Sequence, residues 1–222
     1  PTIANASALH SGSYSVTATV NGCTSQPANQ NVTVNLIPSS PILSSNTPIC
    51  SGASLLLNAS PLPGAVFSWT GPNGFTSSQQ NPIVSNASAY NSGVYKASVS
   101  VNGCSSTTPS SIAVTVNQTP PAPLISDNGP LCEGSVLNLS ASTVAGASYN
   151  WTGPNGFTSS SQNNLLSNIS LANKGVYYVT GTASGCTSAA SNASIIIEQP
   201  AIASAGNDQL ICSSSSSVNL SG

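Results

Sequence analysis

Short runs of apolar residues, or of alternating apolar and polar residues, recur along the whole chain and predict β-strands. Each run is bounded by Gly, Pro or Asn-Gly, which are typical of turns and hairpins. No segment has the pattern of a useful helix. The runs number about seven per 80 residues, which is typical of a β-sandwich, and the clearest are 54–59, 65–69 and 95–101 with their counterparts 135–140, 147–151 and 177–183.

One seven-residue sequence indicates that the chain is built from repeats. Trp-Thr-Gly-Pro-Asn-Gly-Phe begins at Trp69 and returns unchanged at Trp151, 82 residues later. A cysteine stands 19 residues before each tryptophan and another stands 35 residues after it, which gives Cys50 and Cys104 in one repeat and Cys132 and Cys186 in the next. The fixed spacing predicts two copies of one small domain.

The repeat divides the chain into four parts. Residues 1–37 align with 82–118 and are interpreted as the C-terminal half of a repeat, and 38–118 and 119–199 are two whole repeats. Residues 200–222 are interpreted as the N-terminal part of a further repeat, because Cys212 takes the place of Cys132. The predicted architecture is an all-β tandem of sandwiches in a linear array, cut from a longer chain.

The charge content excludes several classes of function. Lys96 and Lys174 are the only basic residues apart from one histidine, and the chain has four acidic residues and no arginine. Nucleic acid and anionic membrane surfaces both need a basic footprint, so neither is expected as a partner. No apolar run is long enough for membrane insertion, and the chain carries no signal peptide. Six cysteines without methionine favour an oxidising, extracellular location.

The residue inventory also argues against catalysis. Repeat 38–118 contains no Asp or Glu, so paired carboxylate chemistry is impossible there, and the single histidine, His10, lies in the half-repeat. We therefore expect no enzyme, no catalytic residue and no cofactor. A zinc site is not expected, and Asp127 and Glu133 are interpreted as solvated loop acids, with a weak calcium site as the alternative.

A resemblance to immunoglobulin domains gives roles to several aromatic residues. The segment 84–95 resembles the immunoglobulin stretch that ends Asp-x-Gly-x-Tyr-x-Cys, although Asn91 stands where Asp is usual and Ala97 where the cysteine is usual. The resemblance implies that aliphatic packing replaces the inter-sheet disulfide. It also implies a structural core that contains the third-strand tryptophans and the corner tyrosines, namely Trp69, Trp151, Tyr14, Tyr95 and Tyr177. An exposed sugar-stacking platform is the alternative for the tryptophans.

A closer resemblance covers nearly the whole chain. Cys-x-Gly, Trp-Thr-Gly-Pro-Asn-Gly-Phe, Gly-Val-Tyr and Asn-Gly-Cys, in that order, look like the Ig-like and PKD-like repeats of giant type 9-secreted Bacteroidetes surface proteins, the SprB-like gliding adhesins. This resemblance implies an extracellular, cell-surface stalk or filament that acts in adhesion. Its expected partners are neighbouring repeats of the same chain and a surface polysaccharide. The alternatives are an accessory carbohydrate-binding or spacer module of a secreted polysaccharide-active enzyme, and a glycosylated receptor segment of eukaryotic type.

The immunoglobulin topology also bears on the disulfides. It places Cys50 and Cys104 at opposite ends of one sandwich, too far apart for a bond between them. In an end-to-end array, Cys50 could instead reach Cys186 of the next repeat. The inter-repeat pair Cys50–Cys186 is therefore one prediction. The intra-repeat pairs Cys50–Cys104 and Cys132–Cys186, and free thiols, remain alternatives.

Overall fold

The computed structural model describes residues 1–203. The chain divides into two compact units, Pro1–Gln118 and a second that begins at Thr119. Most of the predicted further repeat at 200–222, including Cys212, lies outside the described residues.

The first unit begins with the half-repeat, whose main element is an antiparallel hairpin. Strands β1 and β4 pair over their full length, with Tyr14 opposite Gln30. A shorter hairpin, β2 with β3, turns at Asn21-Gly22, where both residues have positive φ. A 3-10 turn, Ala8–His10, precedes the strands, which are β1 (Gly12–Val16), β2 (Thr19–Val20), β3 (Cys23–Thr24) and β4 (Ala28–Val32).

The whole repeat of the first unit contains ten strands. Their bounds are β5 (Leu43–Ser45), β6 (Ile49–Cys50), β7 (Leu55–Ala59), β8 (Val66–Thr70), β9 (Thr76–Ser77), β10 (Ile83–Val84), β11 (Gly93–Val101), β12 (Cys104–Ser105), β13 (Ser110–Val114) and β14 (Val116–Asn117). Strands β5, β7 and β10 form one antiparallel sheet, and β8, β9, β11, β12 and β13 form the other. Strands β6 and β14 pair in parallel. Two 3-10 turns, Pro72–Gly74 and Ala89–Asn91, complete the repeat.

The second unit repeats this topology strand for strand. Its strands are β15 (Ile125–Asp127), β16 (Leu131–Cys132), β17 (Leu137–Ala141), β18 (Ser148–Thr152), β19 (Thr158–Ser159), β20 (Asn163–Leu166), β21 (Gly175–Ala183), β22 (Cys186–Thr187), β23 (Ser191–Ile195) and β24 (Ile197–Glu198). Its 3-10 turns are Pro154–Gly156 and Leu171–Asn173. The predicted strands are therefore present in both repeats, and the all-β fold class is confirmed.

Alternation along the strands builds one core between the two sheets of each sandwich. In β7, Leu55, Leu57 and Ala59 are buried while the residues between them are exposed. The tryptophan of the facing strand and three residues of β11, Tyr95, Ala97 and Val99, meet this layer. The second unit buries the matched tryptophan, tyrosine and Val179, and has Gly181 at the position of Val99. Ala97 and Val179, which replace the usual inter-sheet cysteine, are fully buried. Aliphatic packing therefore takes the place of that disulfide, as predicted.

One tight turn recurs at the surface of both repeats. The Gly-Pro-Asn-Gly sequences form 3-10 turns in which Asn73 and Asn155 adopt φ of 54°. Asparagine tolerates this left-handed conformation better than most residues. The helices in the described part of the chain are short 3-10 turns, and none of them could span a membrane.

Candidate functional site

The tyrosine corner is the most regular local structure in the chain. The hydroxyl of Tyr95 donates a hydrogen bond to the backbone oxygen of Asn91 at 3.1 Å, and that of Tyr177 donates to Asn173 O at 2.9 Å. Tyr14 donates in the same way to His10 O at 2.9 Å. The predicted bond from the corner tyrosine to the backbone is thus confirmed in all three copies.

A capped 3-10 turn positions each acceptor oxygen of these corners. In the whole repeat, the Ser88 N–H donates to Asn91 Oδ1 at 2.8 Å, and in the half-repeat the Ser7 N–H donates to His10 Nδ1 at 2.9 Å. In the half-repeat an imidazole nitrogen therefore accepts the backbone hydrogen bond that an amide oxygen accepts in the whole repeat. This explains why histidine can stand at a position where immunoglobulin domains use aspartate. The short polar side chain at this position is a turn element and has no catalytic partner in the described residues.

The repeated heptapeptide packs around the corner tyrosine. Phe75 meets Tyr95 edge-on, with ring centroids 5.2 Å apart, and the backbone of Gly71 lies so close that an added Cβ would stand 2.5 Å from the Tyr95 ring. Pro72 covers Gly93 in turn. The second unit contains the same arrangement around Tyr177. The identity of the two heptapeptides is therefore explained by packing within the sandwich.

The tryptophans are core residues. Trp69 and Trp151 are both buried, and neither indole N–H has a hydrogen-bond partner among residues 1–203. A buried side chain cannot stack on a sugar, so the alternative of a tryptophan platform is wrong. The prediction that Tyr14 belongs to a core is also wrong for this structure. Its side chain is 41% exposed, because residues 1–37 contain none of the strands that cover Tyr95 in the whole repeat.

The electrostatics of the corners follow from burial. Burial raises the pKa of Tyr95, and the hydrogen bond to Asn91 offsets part of this shift. Burial likewise raises the pKa of Tyr177. Both phenols therefore stay protonated at neutral pH and act as donors. Within residues 1–203, no group of three or more His, Cys, Asp or Glu side chains could hold a metal ion.

The two cysteines of the whole repeat in the first unit lie at opposite ends of its sandwich. Cys50 stands opposite Asn117 in the β6–β14 pair, where the chain leaves the repeat. Cys104 follows the Asn102-Gly103 turn at the other end, and its Sγ lies 3.8 Å from the Asn35 carbonyl oxygen in the segment leading into the repeat. The nine residues of β11 separate the two ends by roughly 30 Å. A disulfide needs Cα atoms within about 7 Å, so these two cysteines cannot bond to each other.

The oxidation states agree with this geometry. Cys50 and Cys186 are each disulfide-bonded, whereas Cys23, Cys104 and Cys132 are free thiols. Bonds within one repeat, Cys50–Cys104 or Cys132–Cys186, are therefore not formed, and the intra-repeat alternative is contradicted. In the second unit, Cys132 stands opposite Glu198 in the β16–β24 pair, the position that Cys50 has in the first. The pairing of Cys50 with Cys186 stays a prediction.

Comparisons with known proteins relate part of the chain to an Ig-like family. The family model described as "Ig-like domain CHU_C associated" matches residues 120–200. No curated protein matches the chain significantly. Among solved structures, an I-band fragment from titin is 13% identical with a TM-score of 0.48, covering 87% of this chain and 76% of its own. Drosophila OTK extracellular domains 3–5 are 13% identical with a TM-score of 0.48, covering 86% of this chain and 72% of their own. Murine CEACAM1b is 15% identical with a TM-score of 0.41, covering 71% of this chain and all of its own. By its sheet topology the chain carries tandem immunoglobulin-like β-sandwich repeats, and residues 120–200 match a described Ig-like family.

Proposed function

We propose that this chain is a stalk segment of a large extracellular surface protein, in which Ig-like repeats follow one another and present loops or a distal tip for adhesion. The observation that carries this proposal is the placement of one cysteine at each end of a sandwich. Cysteines at the two ends serve no bond within a repeat. They suit covalent bonds between successive repeats.

The composition supports the same role. A surface of Ser, Thr, Asn and Gln with very few charges keeps its properties across a wide range of salt concentration. Repeat 38–118 has no carboxylate side chain, so general acid or base catalysis by Asp or Glu is not available in it. We therefore propose a non-catalytic role, with no cofactor. The neighbouring repeats of the same chain are the primary partners, and a surface polysaccharide is the adhesion substrate.

The more specific proposal is a type 9-secreted surface protein of the gliding-adhesin kind. It is supported by the ordered motifs shared by both repeats and by the family match at residues 120–200. The accessory-module alternative loses its main candidate for sugar contact, because both tryptophans are buried.

Replacement of the repeats in the parent protein tests this function. Cells that carry the parent gene with residues 38–199 exchanged for an unrelated pair of Ig domains of similar length would be compared with wild-type cells and with a gene deletion. Adhesion to a surface is measured, together with the distance of an epitope tag from the cell body by immunogold labelling. A spacer role predicts that the exchange restores the tag distance, while a deletion of both repeats shortens it. A parent protein that stays in the cytoplasm would overturn the proposal.

Peptide mapping without reduction tests the cysteine arrangement separately. The expected product is a Cys50–Cys186 linked peptide from the intact chain, absent from a Cys50→Ser variant and unchanged in a Cys104→Ser variant. A linked peptide that joins Cys50 to Cys104 would contradict both the prediction and the strand directions described above.

A further inference from the structure

One end of the whole repeat in the first unit receives the chain from the half-repeat. The incoming segment lies against the hairpin that joins β11 to β12, because the side-chain amide of Asn35 donates to Asn102 O at 3.1 Å. The Sγ atom of Cys104 lies 3.8 Å from Asn35 O, and the Ser110 hydroxyl donates to Pro41 O further along. Cys104 therefore lies at the entry of its repeat, against the segment that leads out of the preceding one.

The opposite end of the same repeat is its exit. Cys50 stands opposite Asn117 in the parallel β6–β14 pair, and the Ser51 N–H donates to Asn117 O at 2.8 Å. Asn117 is the last residue of β14, so the chain leaves the repeat beside Cys50. The repeat thus has one cysteine at its entry, Cys104, and one at its exit, Cys50.

The second unit places its two cysteines in the same way within its own sandwich. Cys132 stands opposite Glu198 in the parallel β16–β24 pair, and the Glu133 N–H donates to Glu198 O at 2.9 Å. Cys132 is therefore an exit cysteine. Cys186 opens β22 in the same way that Cys104 opens β12, so Cys186 is an entry cysteine.

The oxidation states of the described cysteines agree with one rule, in which an exit cysteine bonds to the entry cysteine of the next repeat. Cys50 and Cys186, an exit and the following entry, are the two that are disulfide-bonded. The free thiols are Cys23, Cys104 and Cys132. The rule gives Cys23 and Cys104 partners in the first halves of preceding repeats, and it gives Cys132 a partner in the second half of a following repeat. The chain contains none of these repeat parts.

We propose that Cys104 and Cys132 are covalent attachment sites for the preceding and the following repeat of the parent protein. The matched positions in the other repeat are bonded, since Cys186 has the place of Cys104 and Cys50 has the place of Cys132. Each new bond joins two thiols, releases two protons and passes two electrons to a disulfide oxidant, whose own disulfide becomes two thiols. The inference rests on the proposed stalk function, because it needs repeats on both sides and an oxidising compartment.

Such bonds divide the covalent chain into segments of two kinds. From Cys50 to Cys104 there are 54 positions, and from Cys104 to Cys132 there are 28. The disulfides and the shorter segments each lead from one repeat to the next, so they alternate along two continuous covalent strands. The longer segments, which contain Trp69 and Tyr95 in the first repeat, connect the two strands crosswise. They therefore lie outside the path of a pull along the array.

The two strands limit how far the array can be stretched. A residue spans at most about 3.5 Å, so a shorter segment of 28 residues reaches about 100 Å, and one such segment with one disulfide advances the strand by two repeats. Two periods of 82 residues without the disulfides reach about 570 Å. Bonds at every junction thus keep the core of each sandwich from being drawn out.

A chain with two more whole repeats tests the attachment sites. Residues 1–199 followed directly by 38–222 give Cys132 of the first copy a following repeat and give Cys104 of the second copy a preceding one. After oxidation with glutathione disulfide, peptide mapping without reduction should find a Cys132–Cys104 linked peptide that the original chain lacks. Half of the Cys104 and half of the Cys132 thiols should stay open to alkylation, because only one of the two copies has the needed neighbour. Cys132→Ser in the first copy should abolish the new linked peptide.

Single-molecule stretching of the original chain from its two ends tests the path of the pull. The predicted Cys50–Cys186 bond should withhold the 135 residues between these cysteines from stretching. Reduction should release them and add about 470 Å of contour length. Cys50→Ser should show the longer contour without reductant, and Cys104→Ser is the matched control that should behave as the wild-type chain does.

Two results would overturn the inference. One is a chain with the added repeats in which Cys104 and Cys132 are fully alkylated under oxidising conditions. The other is an oxidised original chain that extends as far as the reduced one. Either result leaves the stalk proposal standing, because the exchange of repeats on cells measures tag distance and adhesion independently. Conversely, a cytoplasmic parent protein removes the stalk proposal even where the purified chain forms the Cys132–Cys104 bond.

Discussion

The corner tyrosines of the half-repeat and the whole repeat have the same local structure but very different surroundings. Tyr14 and Tyr95 each follow a capped 3-10 turn and each donate to a backbone oxygen four residues earlier. Tyr95 is fully buried, whereas Tyr14 is 41% exposed. The next inward residue shows the same contrast, since Ala97 is fully buried and Val16 is 67% exposed.

The comparison separates what a short segment can form alone from what needs distant strands. The corner is made by about ten consecutive residues, so it forms in both places. The core needs the leucines of β7 and the tryptophan of β8, which residues 1–37 do not contain. An exposed apolar groove on the half-repeat, lined by Ile3, Tyr14, Val32 and Val34 among others, marks where those strands would pack. Hydrophobic burial is therefore a property of the whole repeat, and the corner hydrogen bond is a property of its second half.

The largest expected effect comes from removing the tryptophan that fills the core. Trp69→Ala should lower the free energy of unfolding of the first unit by about 3–5 kcal/mol, since it deletes a fully buried ring. Val16→Ala, in the exposed half-repeat, should change it by less than about 0.5 kcal/mol. Urea unfolding followed by circular dichroism measures both units together, so a transition that moves in the variant while the fluorescence transition stays in place belongs to the first unit. Trp151, which is then the only remaining tryptophan, reports by fluorescence on the second unit, where no change is expected.

The comparison is contradicted if Trp69→Ala leaves the urea midpoint of the first unit unchanged. Such a result would mean that β8 contributes little to the core, contrary to its position. The mirror variant Trp151→Ala should destabilise the second unit and leave Trp69 as the probe of the first, so the two variants control each other.

A second, smaller effect is expected where the backbone meets the tyrosine ring. Gly71→Ala places a Cβ 2.5 Å from Tyr95, so the ring or the strand must shift, at a cost of about 1–3 kcal/mol. Gly181→Ala is a suitable control, because its Cβ would meet no atom closer than 3.4 Å. Thermal unfolding of both variants measures the difference. Equal stability of the two would show that the Tyr95 ring can move aside without loss.

The sequence predicts much of the fold because its signals are local or repeated. Strand alternation, the Asn-Gly hairpins, the corner tyrosine and the buried tryptophan were all available from motifs and spacing. The requirement for Gly71 was not, because its φ is extended and only the packed Tyr95 ring explains it. The exposure of Tyr14 was missed because a motif carries no information on whether its covering strands are present.

Removal of the corner hydroxyl should have a smaller effect than either packing change. Tyr95→Phe should cost about 1–2 kcal/mol, because the Asn91 carbonyl loses its donor while the ring remains in the core. Tyr14→Phe should cost less than about 0.5 kcal/mol, because water can replace the lost donor at an exposed site. Chemical denaturation of both variants measures the contrast. An equal loss in the two would mean that the bond contributes through the local turn and not through burial.

The smallest effect is a loss of stability at alkaline pH. Burial raises the pKa of Tyr95 and Tyr177 above the ordinary value of 10.0, so the unfolded chain releases these protons at a lower pH than the folded chain does. Above pH 10 the unfolded state is therefore favoured progressively, until the folded pKa is passed. The stability contributed by the neutral phenols is complete below pH 10 and is lost as the pH rises.

Urea unfolding at pH 8 and about one unit above the ordinary tyrosine pKa should show this fall in the free energy of unfolding of the wild-type chain. It should be reduced in a Tyr95→Phe, Tyr177→Phe double variant, which has no phenol to ionise at either corner. A fall of the same size in both proteins would assign the alkaline sensitivity to groups outside the corners.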